Sequence, residues 1–199
     1  MSDSSKKRIL QSLASQNVES VPLPNVLEGD WIRYDDPVSQ LVQVVQFVGG
    51  SAEVHPDLQS VRRRLEEFPE VQNASRILSL VPDLPGNVDL DATLDPKELE
   101  DLDFVMVRGE FAVAENGAVW VTDRNLRHRV IYFINQHLIM VVSKSSILHN
   151  MHEAYSQLTF SQPGFGCFIS GPSKTADIEQ SLVIGAHGCR SMQLYVIDG

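Results

Sequence analysis

The chain has 199 residues, 43% of them hydrophobic and 21% charged, which is the composition of an ordinary globular protein with one domain as the default. Folding at this length buries roughly 70% of the surface the unfolded chain exposes, so stability requires neither disulfides nor a structural metal. Twenty-six acidic residues against 16 basic ones give a net charge of -10, which argues against general affinity for nucleic acid or an anionic membrane. Lys6, Lys7 and Arg8 lead into polar sequence rather than an apolar core, so no signal peptide is expected. The most apolar stretch, residues 130–142, is broken by Asn135, Gln136 and His137 and is too short to span a bilayer. A cytosolic protein is the expectation. Cys167 and Cys189 alone can neither ligate an iron–sulfur cluster nor complete a cysteine-rich zinc site, so the chain is expected to hold no cofactor or metal.

In chain order, helical periodicity first appears weakly at residues 5–15, around Ile9, Leu10 and Leu13. Pro22 and Pro24 then read as linker, which makes residues 1–35 an arm and 36–199 the folded unit. A stronger helix starts at Asp36 as N-cap with Pro37 at the first position. It sets Val38, Leu41, Val42, Val45 and Val48 on one stripe and stops at Gly49-Gly50. Pro56 opens a third helix with Leu58, Val61, Leu65 and Phe68 inward, and its Arg62–Arg64 run reads as a solvated face. A fourth is predicted over residues 146–158, with Ile147, Met151, Ala154 and Leu158 facing in.

Short β-branched runs at residues 77–78, 104–107, 111–114, 118–122, 137–142, 165–170 and 192–197 read as strands. Continuous apolar runs such as 138–142 suit strands covered on both faces. The alternation of strand and helix predicts an α/β fold, an open, mostly parallel sheet flanked by helices. Asn116-Gly117 favours a two-residue turn, so residues 111–122 are expected to form a β-hairpin inserted into that sheet. Residues 82–103 read as an acidic solvated loop with a short helix from Pro96.

Chemistry concentrates near the end of the sequence. After the strand at 165–170 the chain turns at Gly171-Pro172 and is expected to enter a helix capped by Ser173 or Thr175. A helix start at the carboxyl end of a strand presents free N–H groups to an anion, and Lys174 would strengthen such a site. The same residues also make an ordinary cap, with Asp177 and Glu179 favouring the helix dipole. The helix is expected to end at Gly185-Ala186-His187-Gly188-Cys189-Arg190, where His187 is either a base or an inert loop histidine. Arg124, Arg127 and Arg129, with His128, either clamp a carboxylate or phosphate or pair with the acidic loop. His149 and His152 are two ligands lacking a third. Cys167 reads as a small buried group, Cys189 as a loop thiol, and Trp31 and Trp120 as core or interface aromatics.

The string from Gly171 to Glu179, the Gly185-Ala-His-Gly-Cys-Arg190 turn and the closing apolar strand together resemble the LUD domain family, of the LutC/YkgG lactate-utilisation type. Ala114-Glu115-Asn116-Gly117-Ala118-Val119 is similar to that family's Ala-Glu-Thr-Gly-Thr-Ile pattern, and His137-Leu-Ile-Met-Val-Val142 to its Pro-Val-His-Ile-Val-Val strand. Lys174 stands where the family usually has arginine, and Cys189 where it has proline. The resemblance covers residues 104–199 and implies a Rossmann-like α/β fold of the NagB/RpiA/CoA-transferase-like superfamily. It also implies a part in oxidising L-lactate to pyruvate beside iron–sulfur partner subunits. A small anionic ligand or organic acid would lie among Glu115, Gly117, Arg124, Arg127, His137, Gly171, Ser173, Lys174, Thr175, Asp177 and Glu179.

An alternative is a stand-alone enzyme of the CoA-transferase-like superfamily acting on an acyl-CoA or phosphorylated acid. In that reading Glu115, in its Glu-Asn-Gly context, is the nucleophile. The tripeptide makes equal sense as a plain hairpin turn. Exposed strand ends and the arm leave room for self-association.

Overall fold

The computed structural model describes residues 3–15, 21–22, 24–25, 28–158, 164–175 and 183–198. Helix α1 (Asp3–Ala14) leaves Ile9, Leu10 and Leu13 exposed. Helix α2 (Pro37–Phe47) begins where its sequence signals place it. The Asp36 carboxylate accepts from the Val38 and Ser39 amides at 3.1 Å, and Gly49, at φ +87°, turns the chain out after Val48. Its Leu41 and Val45 are fully buried. Strand β1 (Ser51–His55) follows, then α3 (Leu58–Glu66), capped by Asp57, and the short α4 (Pro69–Gln72). The arginine run on α3 is a solvated face: Arg62 pairs with Glu66 at 3.1 Å, and Arg64 reaches both carboxylate oxygens of Glu53, at 3.1 and 3.2 Å.

Strands β2 (Ile77–Ser79), β3 (Phe104–Arg108), β6 (His137–Ser143) and β11 (Ser191–Ile197) join β1 in a five-stranded sheet of order β1-β11-β6-β3-β2, every pair parallel. The central strands are buried on both faces, as their unbroken apolar runs require. One face, through Ala52, Leu138, Met140, Met192 and Leu194, packs on α2. The other, through Phe104, Met106, Ile139, Val141, Tyr195 and Ile197, packs on Val61 and Leu65 of α3 and Val71 of α4. The acidic loop carries a 3₁₀ turn at Pro96–Leu99 with a capping box between Asp95 and Glu98, as Pro96 predicts.

The hairpin forms, but it builds a second sheet instead of entering the first. Strands β4 (Phe111–Val113) and β5 (Ala118–Thr122) pair antiparallel, with β7 (Ile147–Leu148) and β8 (Gly166–Ile169) outside them, in order β7-β4-β5-β8. Val113 faces Ala118, so the turn has four residues instead of two, and only Gly117 adopts positive φ, +69°. The strand expected at 165–170 is therefore antiparallel and outside the parallel sheet.

Two helices differ from expectation. Ile147 and Leu148 pair with Ala112 and Val113, so the helix predicted over 146–158 shortens to α6 (Met151–Gln157), with Asn150 accepting from the Glu153 amide at 3.0 Å. The single-turn helix α5 (Ile131–Ile134) feeds β6. After Gly171, a helix capped by Ser173 is not found, and residues 176–182, where one capped by Thr175 would run, lie outside the described residues. Lys174–Thr175 is a strand, β9, paired antiparallel with β10 (Val183–Ile184). Ser and Thr side chains favour turns as readily as helix caps, and here the backbone is consumed by pairing. The Ser173 amide donates to Cys189 O and the Gly185 amide to Ser173 O, both at 2.9 Å. Asp177 and Glu179 lie outside the described residues.

Candidate functional site

The C-terminal turn of α2 is the floor on which three distant segments meet. Gly171, at φ +70°, passes so close that a Cβ there would stand 2.5 Å from Val48 O. Lys174 Nζ donates to that same carbonyl at 2.5 Å, where a cation complements the helix dipole. The Ser170 hydroxyl donates to Asn116 O at 2.8 Å, and Gly117 lies against Val44 and Val45, one turn earlier on α2. Gly188 backs onto Ser173, where an added Cβ would sit 2.9 Å from the serine Cβ. His187 beside it is exposed. Thus Gly117, Gly171, Ser173, Lys174 and Thr175 are brought together with the 185–190 turn. Because β8 is not in the parallel sheet, they sit at the amino ends of its strands, next to the entries to β1 and β11, and not at the carboxyl ends where the sequence places them.

His137 stands at the first position of β6, in register with Phe104 and Ser191, and by strand alternation belongs to the opposite face from α2. Its Nδ1 and the Ser191 hydroxyl are 2.8 Å apart, and the Phe104 ring stacks on the imidazole at 4.7 Å and 27°. Burial, reinforced by the nearby Arg190 guanidinium, pushes the His137 pKa down from 6.5 against the opposing pull of Asp103 and Glu70. Ser191 is the residue sequence reasoning missed. The available signal was a polar residue opening each of two largely apolar strands, His137 before Leu-Ile-Met-Val-Val and Ser191 before Met-Gln-Leu-Tyr-Val-Ile.

Glu115 serves α6. Its carboxylate accepts from the Met151 amide at 2.8 Å while its own amide donates to His149 O at 3.1 Å. The arginine segment meets the acidic loop: Arg127 donates to Asp91 O at 2.9 Å, His128 Nε2 lies 3.0 Å from Thr93 O, and Arg124 pairs with Glu110 at 3.7 Å. Glu110 lies beyond the carboxyl end of β3, the other end of the sheet from Gly171. Arg124 is therefore not joined to the glycine turns, and Arg127 is held by the acidic loop.

Trp120 is a core aromatic, stacked with Phe111 and tilted against Phe168. Trp31 lies flat on His152 at 3.5 Å, and the Tyr34 amide donates to His149 Nδ1 at 3.1 Å. The two histidines thus receive residues 31–34. Cys167 is half-buried and Cys189 buried, and burial pushes both thiols up, which leaves Cys189 a poor nucleophile. No group of three or more His, Cys, Asp or Glu side chains suited to a metal ion occurs among the described residues.

The five-stranded parallel sheet with helices on both faces and a polar cluster at its amino ends defines an open α/β protein of Rossmann-like class. Residues 88–197 match the LUD domain, more than half of the sequence, and the chain belongs to the LUD domain family. It is 31% identical over 157 residues to a Lactate utilization protein C from Geobacillus thermodenitrificans, covering 73% of this chain and 62% of that protein. With the protein of the same name from Shouchella clausii it shares 32% over 117 residues, 56% of this chain and 50% of that one. The chain thus spans less than two thirds of the length of these curated relatives. A crystal structure of a DUF162 family protein from Deinococcus radiodurans aligns with TM-score 0.60 at 16% identity, over 84% of this chain and 99% of that one, and supports the fold. Among the described residues no helix is long and apolar enough to cross a membrane.

Proposed function

We propose that this chain is a cytosolic, LutC-like subunit acting in L-lactate utilisation, where it works beside iron–sulfur subunits that take up the electrons released as L-lactate is oxidised to pyruvate. The observation that carries the reading is the 31% identity over 157 residues to a relative named Lactate utilization protein C. In this reading residues 36–199 are the LUD-type unit and 1–35 an arm for docking. A small organic acid binds at the amino end of the parallel sheet, at the turns of Gly117 and residues 171–175, with His187 exposed at the rim. Lys174 is the nearest cation, and its ammonium can swing from Val48 O to a carboxylate at little cost because it is exposed there. Glu115 positions α6 beside the same turn.

Anaerobic affinity purification of the tagged protein from its own cell tests the reading. The expected eluate contains iron–sulfur proteins and reduces a dye on addition of L-lactate, with Lys174→Ala lowering that activity. A lone protein without L-lactate-dependent reduction, or growth on lactate that survives clean deletion of the gene, overturns it.

A further inference from the structure

The sheet face under α3 and α4 carries a second, separate constellation. The two helices cover the face through Val61, Leu65 and Val71, packed against Met106, Ile139, Val141, Tyr195 and Ile197. The first residues of β6 and β11 extend past that cover, so the Ser191 hydroxyl is solvent-exposed while His137 is half-buried behind it. Their side chains are held by the sheet itself, since the parallel register places Ser191 directly beside His137. The Phe104 ring, 3% exposed, fixes the imidazole plane from the other side. Arg190, exposed and next in sequence, is anchored through its amide to Gln136 O at 2.7 Å, which keeps its guanidinium near the imidazole.

We propose that Ser191 is a nucleophile with His137 as its general base, accepting the acyl group of a short-chain ester or thioester. A nucleophilic hydroxyl within 2.6–3.2 Å of a base whose orientation is fixed by a third group is the arrangement such chemistry needs, and 2.8 Å lies within it. In the reaction the Ser191 Oγ attacks the acyl carbonyl carbon and its proton passes to His137 Nδ1. The Oγ–C bond forms as the bond to the leaving oxygen or sulfur breaks, and that atom takes the proton from His137. Water then attacks the acyl-serine, releases the carboxylic acid and restores the hydroxyl. The Arg190 guanidinium supplies positive charge for the developing oxyanion. The groups bearing on His137 are Arg190 on its own end of the sheet, Asp103 before β3 and Glu70 from α4. The two acids keep the imidazolium accessible as an intermediate, whereas burial and Arg190 keep the resting imidazole unprotonated. The proposal is independent of any lactate pathway and is tested on the isolated protein.

The test is incubation of the full chain with a fluorophosphonate probe, which forms an Oγ–P bond with loss of fluoride, and separately with p-nitrophenyl acetate. Peptide mass spectrometry is expected to place the adduct on Ser191. Ser191→Ala should abolish it, and His137→Gln should slow it by roughly 10²-fold or more, the contribution of a positioned base. Arg190→Ala alters only an exposed side chain. It should slow labelling while leaving the melting temperature unchanged, which separates chemistry from folding. The labelling rate should rise with pH as His137 loses its proton. Ser191 labelled no faster than other exposed serines, or at the same rate in folded His137→Gln, overturns the proposal.

Discussion

The two sheets are held together in different ways. The parallel sheet is secured by depth: β3, β6 and β11 bury side chains on both faces, and two separate apolar clusters clamp it. The second sheet is shallow and depends on close approaches. Its strands have two to five residues, and its outer face rests on one small cluster of Phe111, Val113, Trp120 and Ala154. A Cβ on Gly166 would overlap the Trp120 ring, and one on Gly109 would overlap Val119 and come within 2.8 Å of Val142, at the seam between the sheets. Depth tolerates a local loss, whereas a structure built on close approach depends on each of its glycines.

The sharpest way to break that contrast is a pair of core truncations. Trp120→Ala should cost about 3–5 kcal/mol and Leu138→Ala about 2–5 kcal/mol in denaturant unfolding. Hydrogen exchange distinguishes them. The tryptophan variant should lose protection first in β4, β5 and β8, and the leucine variant across the whole parallel sheet. Equal loss everywhere in both would mean that the sheets open as one unit. Gly109→Ala should cost about 1–3 kcal/mol by overpacking the seam, measured as a fall in denaturant midpoint.

Gly117→Ala comes next, at about 1–2 kcal/mol, because the residue holds φ +69° with Val44 and Val45 only 3.3 Å from the new methyl. Glu115→Gln removes a negative charge from the start of α6 while keeping an acceptor, so thermal unfolding should register a loss of only about 0.3–1 kcal/mol. The smallest effect is one of pH. His137 is held below 6.5 in the folded chain, so the unfolded chain binds a proton more readily. Stability is therefore fully present above 6.5 and declines as pH falls from there toward the lower folded value. His137→Gln should flatten that part of the stability profile.

What the sequence disclosed follows the same division. Helix α2 was legible to the residue because Asp36, Pro37 and Gly49 are local signals that tertiary contacts did not override. The inner strands β3, β6 and β11 were legible because burial on both faces forces largely apolar runs, whereas β1, with Glu53 and an exposed Val54, carries no such run. Strand β7 was not, since Ile147, Met151 and Ala154 fit a helical stripe, and only pairing with Ala112 and Val113 makes the first of them a strand. That Lys174 and Thr175 form a strand and not the first turn of a helix capped by Ser173 was hidden for a related reason. Ser173 and Thr175 serve helix caps and turns alike, and the deciding partners, Val48, Cys189 and Val183, lie far away in sequence. Of the candidate site, the glycine turns and His137 were visible as motifs. Their separation onto two faces of one sheet was not, and neither was Ser191, because register across strands is set by the fold and not by spacing.

The strand order has a consequence for how the chain is made. β11 lies between β1 and β6, so the earliest strand of the sheet and one of its central strands are bridged by the strand synthesised after all the others. Until Ser191–Ile197 leaves the ribosome, β1 has no neighbour and β6 presents an open apolar edge to the cell. A nascent chain with such a vacancy is a natural client for chaperones, and a stop codon ahead of Ser191 would leave the product permanently in that unfinished state.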